Sequence, residues 1–166
     1  MYQRILVVVE DGHAAHAAIA EGIALARVHS AEVLFCHVLP TYHAPVIEMP
    51  PVPLMSPDRF EQEARRQGSV LLAAAGQAAA EAGVRSSQVV LSGPDAVECI
   101  SSAVTQRQCS LIVVASTGWN AVMRLLTGSV IPGLITRACV PVLVCRHAET
   151  ANAAQRQDTL HHEAGL

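Results

Sequence analysis

"RILVVV", Arg4 to Val9, is the stretch on which the fold turns. A short, nearly continuous apolar run rich in β-branched residues marks a strand buried on both faces, and such strands belong to parallel sheets covered by helices. From about 13 to 28, Ile19, Ile23 and Ala26 recur at helical spacing, and "SAEVLFCHVL" (30–39) reads as a second strand. The chain therefore opens β, α, β.

The alternation continues beyond a proline-rich interruption. Residues 40–57, "PTYHAPVIEMPPVPLMSP", hold six of the nine prolines, which excludes regular structure and predicts an extended loop, either packed on itself or offered to a partner. Ser56 or Asp58 can cap a long helix to about 82, with Phe60, Ala64, Leu71, Leu72, Ala75 and Ala79 on one face and Gly83 at its end. "SSQVVLSG" predicts a third strand, "PDAVECISSAVTQRQ" a helix with Pro94 in its first turn, and "SLIVVA" a fourth strand. "GSVIPGLITRA" predicts a short helix and "VPVLVCR" a fifth strand. The expectation is one domain over 1–147, then a flexible tail over 148–166 that lacks apolar periodicity. Strict alternation implies a doubly wound, five-stranded parallel α/β sheet with right-handed crossovers and helices on both faces. Ligands of such sheets bind beyond the strands' carboxyl ends where the strand order reverses. A reversal between strands 1 and 4 would build the site from the loops after Val9 and Ala115.

Composition narrows the function. The net charge of −3 and the pI near 6.2 give no basis for nucleic-acid binding. All eleven basic residues are Arg, so no mechanism needing an amine is open: no Walker lysine, Schiff base or lysine general base. No stretch reaches about 18 uninterrupted apolar residues, and "MYQRILVVVED" meets an acidic pair too early for a signal peptide. A cytoplasmic protein without membrane partners is expected. The five cysteines, Cys36, Cys99, Cys109, Cys139 and Cys145, are odd in number, widely spaced and set among apolar residues, which reads as buried thiols. His13 and His16 are three apart, a spacing that suits two ligands on one helix face, but no third ligand is near and no metal site is expected.

After strand 4 comes "ASTGWNAVMRLLTGS" (115–129). Glycines there let backbone approach a ligand closely, and a helix starting at Gly128 offers free N–H groups and its positive dipole end to an anion. Ser129 adds a hydroxyl. Together they can cradle a phosphate without lysine, although Gly and Ser at a helix start are also ordinary capping chemistry. Trp119, the sole Trp, reads as a lid or contact residue as readily as a packing one. Glu10 and Asp11 are open to two readings, as ligand-binding acids or as acids favoured by the dipole of helix 1.

The stretch 115–146 resembles the C-terminal signature of the universal stress protein (UspA-like) family, whose nucleotide-binding members carry Gly, two residues, Gly, nine residues, Gly, then Ser or Thr. Gly118, the nine-residue spacer, Gly128 and Ser129 match, as do Arg124, Leu125 and Leu126 in the spacer and Pro141 to Val144 in the last strand. "ILVVVE", the "HVL" that closes strand 2 and "GPDAVECI" extend the resemblance over residues 4–146. It implies a Rossmann-like sheet of order 3-2-1-4-5 and a non-catalytic stress-response module binding ATP or AMP, with or without Mg²⁺. It also implies a homodimer joined through the last strand, Val140 to Cys145. The implied binding residues are Val9, Glu10, Asp11, Val38, Ala115, Ser116, Gly118, Arg124, Gly128, Ser129 and Val130. Two positions depart from the family pattern. Ala115 replaces the first Gly of the motif, and Glu10 stands where an Asp is usual, unless Asp11 takes that role after a one-residue slip. Two effects of Ala115 stay open: an Ala held in a left-handed conformation costs about 1–2 kcal/mol, so that Ala115→Gly is expected to strengthen binding if such strain exists, or its methyl meets the phosphate or ribose directly.

Three other functions bear on the same residues. A phosphoacceptor receiver domain needs an Asp at the end of strand 3 and a Lys after strand 5, whereas strand 3 ends "VVLSG" and the chain has no Lys. ATP pyrophosphatases share the broad architecture, but their Ser-Gly-Gly-rich loop after strand 1 is missing here and the region offers no nucleophile paired with a base, so no efficient turnover is expected and only slow incidental ATP hydrolysis stays open. A family member that binds no nucleotide and acts through its dimer surface is the remaining alternative.

Overall fold

The buried apolar runs become the strands of one sheet. The computed structural model describes residues 1–40, 56–116 and 130–146. The strands are β1 (Arg4–Val8), β2 (Glu32–Val38), β3 (Ser86–Leu91), β4 (Leu111–Ser116) and β5 (Val142–Arg146). Alternating with them are α1 (Ala14–His29), α2 (Pro57–Glu81), α3 (Ala96–Gln106) and α4 (Val130–Arg137). All neighbouring strands run parallel in the order β3-β2-β1-β4-β5, the predicted doubly wound arrangement. The proline-rich segment 41–55 and the tail 147–166 lie outside the described residues, so the expectations made for them are neither met nor missed.

Why β1 reads as a continuous apolar run is visible in its two faces. Ile5, Val7 and Val9 pack against Ala18, Ile23 and Ala26 of α1 and Leu72, Ala75 and Ala79 of α2. Leu6 and Val8 pack against Val97, Ile100, Ala103 and Val104 of α3 and Leu134 of α4. A central strand with helices on both sides has no solvent face on which to place polar residues. α1 crosses β1 closely: a Cβ at Gly22 would collide with the Val7 side chain, which is itself fully buried.

Local signals settle most helix ends. Ser56, not Asp58, is the N-cap of α2, its Oγ accepting from the Arg59 amide at 3.4 Å, with Pro57 at the first helical position. Gly83, at φ +71°, follows the helix end. At α3 the expectation is corrected. Asp95 is the N-cap, accepting from the amides of Val97 (2.8 Å) and Glu98 (3.3 Å), so Pro94 precedes the helix instead of lying in its first turn.

The cysteines divide. Cys36 and Cys109 are buried as expected, Cys99 and Cys145 are half-buried, and Cys139 is exposed just ahead of β5. Burial pushes the Cys36 thiol up, and the Cys109 thiol up to about 11, so neither supplies a thiolate near neutral pH. Among the described residues no helix is long and apolar enough to cross a membrane.

Candidate functional site

The sheet opens where its order reverses. β1 and β4 pair from Ile5↔Leu111 to Val7↔Val113 and then part. β1 stays with β2 only to Val8↔Cys36, whereas β4 stays with β5 to Ser116↔Arg146. The carboxyl ends of β1 and β4 thus become two lips of a crevice, the place where doubly wound sheets bind ligands.

Val9, Glu10 and Asp11 form the β1 lip. Val9 is 1 % exposed, and its amide donates to the Cys36 carbonyl at 2.8 Å. Glu10 and Asp11 are both exposed, in the turn ahead of α1 and not in that helix's first turn. The turn closes through Gly12 at φ +107°; a Cβ there would meet nothing within 4 Å, so the glycine is required by conformation and not by space. His13 and His16 follow, their ring centroids 6.2 Å apart, and among the described residues no three His, Cys, Asp or Glu side chains gather as a metal-binding group.

Ala115 and Ser116, both half-buried, form the β4 lip and pair with Cys145 and Arg146 of β5. Of the two readings of Ala115, backbone strain is removed. Among the described residues only Ser30 and Gln108 combine a side chain with positive φ, so Ala115 is an ordinary strand residue under no left-handed strain. Val130, half-buried, opens α4. Because α4 returns toward the start of β5, Val130 marks the end of that helix nearest the strands' carboxyl ends. Gly118, Arg124, Gly128 and Ser129, with Trp119, lie outside the described residues.

Two contacts fix α4 to the rest of the domain. A Cβ at Gly133 would stand 2.6 Å from Cγ2 of Val97, so α3 and α4 are in close contact. Arg137 donates to Asp95, Nη1 to Oδ2 at 2.9 Å and Nη2 to Oδ1 at 3.3 Å. The Arg137 guanidinium, helped by the Glu98 and Val97 amides, holds the Asp95 carboxyl below the usual carboxylate range.

One pair of residues behind Val9 carries no signal in the motif. His37, on β2 next to Val38, places Nδ1 2.8 Å from the Val9 carbonyl. Its ring lies against α2 at Gly68, where a Cβ would stand 2.5 Å from Cδ2. A glycine inside a helix costs about 1 kcal/mol relative to alanine, and here it makes room for the ring. The available signal was a Gly on the buried face of an alanine-rich helix, together with the His of "HVL".

A five-stranded sheet whose order reverses between β1 and β4, with helices on both faces, defines a doubly wound α/β module. The chain belongs to the universal stress protein family, whose sequence model matches residues 1–146. It is 27% identical over 149 residues to the universal stress protein YxiE of Bacillus subtilis (strain 168), a match covering 88% of this chain and all of that protein. Among solved structures, its fold is similar to the universal stress protein from Archaeoglobus fulgidus in complex with dAMP. That likeness has TM-score 0.64 at 19% identity and covers 87% of this chain and 98% of the other. An Arabidopsis thaliana universal stress protein family protein with AMP bound gives TM-score 0.63 at 19% identity, covering 89% of this chain and 94% of the other.

Proposed function

We propose that this chain is a regulatory, non-catalytic module that binds an adenine nucleotide, AMP or ATP, in the crevice between β1 and β4. The observation that carries the reading is the parting of these strands after Val7 and Val113, which leaves backbone groups and the exposed carboxylates of Glu10 and Asp11 around one opening. The dAMP and AMP complexes of two proteins sharing the fold support an adenine nucleotide as the ligand. In this reading the nucleoside lies by Val9, Glu10, Asp11 and Val38, where a carboxylate can accept from ribose hydroxyls. The phosphates lie by Ala115, Ser116, Gly118, Gly128, Ser129 and Val130, with Arg124 and Mg²⁺ balancing charge. The phosphate half rests on the glycine spacing of the sequence.

The same reading makes the protein a cytoplasmic homodimer. β5 ends the sheet, and its Val142, Leu143, Val144 and Cys145 are only half-buried, an apolar edge of the kind that is normally paired or covered. Pairing of Val140 to Cys145 with a second copy covers it, and a charged residue at Val142 or Val144 should shift sedimentation toward monomer. The direct test of the ligand is mass spectrometry of small molecules released when the purified protein is denatured. Adenine nucleotide at near-stoichiometric yield supports the reading. Its absence, together with no binding in titration, leaves the ligand-free dimer as the function.

A further inference from the structure

We propose that His37 is a positioning residue for the nucleoside half of the crevice: its ring takes the Val9 carbonyl, ends the β1–β2 ladder one rung early, and leaves the Val38 amide facing the opening. The inference rests on the nucleotide reading for its ligand and on sheet geometry for its mechanism. Amides along a strand alternate sides. The Leu39 amide donates to Leu91 of β3 at 2.9 Å, so the Val38 amide points toward β1. After the Val9 amide has bonded the Cys36 carbonyl, the next rung of a parallel ladder would run from the Val38 amide to the Val9 carbonyl. Pairing stops short of it, at Val8↔Cys36, and the Val9 carbonyl lies 2.8 Å from Nδ1 of His37 instead.

A carbonyl oxygen can only accept, so Nδ1 carries the proton and the tautomer of the ring is set. Gly68 supplies the second half of the device. A Cβ at that position would stand 2.5 Å from Cδ2, 3.2 Å from Cγ and 3.3 Å from Nε2, so any side chain on α2 there drives the ring off the Val9 carbonyl. The Val38 amide, on a half-buried residue and freed from the ladder, is open to an acceptor, and a heteroaromatic base edge laid in the crevice offers ring nitrogens that can serve. His37 therefore acts on the ligand through Val38 and not by touching it.

The test uses the full chain in three forms: wild type, His37→Phe, which keeps a ring without a donor, and His37→Asn, whose side-chain amide can stand in for Nδ1. Amide hydrogen exchange should find Val38 exchanging at least tenfold faster than Cys36 in the wild type. In His37→Phe the rung closes and Val38 slows toward Cys36. Calorimetric titration with AMP should show affinity falling about tenfold in His37→Phe and returning to within about threefold of wild type in His37→Asn. Gly68→Ala, which leaves the histidine in place, should act like His37→Phe and serves if that variant does not fold. Val38 exchanging as slowly as Cys36 in the wild type would overturn the proposal, as would equal AMP affinity in wild type and His37→Phe. If the wild type takes up no AMP, the nucleotide reading fails and the ligand role fails with it, while the exchange rates still decide whether His37 holds the ladder open.

Discussion

At the crevice, β1 leaves the sheet at Val8 and turns back through Gly12, whereas β4 runs on to Ser116 with β5 still alongside. On the β1 lip Val9 is held at several points: it is buried, its amide is bonded to Cys36, its carbonyl meets His37, and α1 lies directly on the strand at Gly22. The β4 lip is half-buried and is paired with β5, the last strand of the sheet among the described residues. In the proposed function this contrast becomes a division of labour, with the nucleoside assigned to the side built by packing and main-chain bonds and the phosphates to the side that follows β4 in sequence.

Changes on the two lips should therefore differ in size. Gly22→Val introduces a branched side chain against fully buried Val7, and overpacking of this kind should cost about 3 kcal/mol in denaturant unfolding. A loss under 1 kcal/mol would mean that the β1 lip is looser than its contacts imply. On the phosphate side, Ser129→Ala should leave unfolding nearly unchanged and weaken AMP binding by about 2 kcal/mol, the scale of a hydrogen bond to a charged partner. An unchanged affinity by calorimetry would remove Ser129 from the site.

Ala115→Gly separates strain from direct contact. Since Ala115 sits in β4 without positive φ, there is no strain to relieve, and the substitution should cost about 0.5–1 kcal/mol of stability without tightening AMP binding. Tighter binding would mean that the Ala115 methyl obstructs the ligand. The smallest effect belongs to Asp95. Its folded carboxyl lies below the ordinary range, so its contribution is present above the unfolded pKa and is lost as pH falls through the depressed folded value. Asp95→Asn should flatten that part of the acid unfolding profile, and an unchanged profile would show that the pairing with Arg137 does not anchor α4.

Most of the fold was legible because its strands are buried on both faces and so announce themselves as apolar runs. The strand ends were less legible. Val9 belongs to the apolar run but not to β1, and its carbonyl lies 2.8 Å from Nδ1 of His37, 28 residues away in sequence. Gly68 reads in sequence as a weak point in a helix, and only the position of the His37 ring gives it a purpose. Ala115 shows the opposite limit. A motif position usually held by glycine suggested a left-handed backbone, but a sequence pattern does not carry φ, and the residue proved to be an ordinary rung between β4 and β5. Cys139 was grouped with the buried thiols on its apolar neighbours, yet it lies between α4 and β5, where the chain returns to the surface.

The nucleotide reading is tested most directly by calorimetric titration of the wild-type chain and of Gly128→Val with AMP and with ATP plus Mg²⁺. The account predicts one saturable site per chain in the wild type, and none in Gly128→Val, where the added side chain fills the phosphate's space while the fold, followed by circular dichroism, is retained. No heat from the wild type at millimolar nucleotide, or undiminished binding in Gly128→Val, would contradict it.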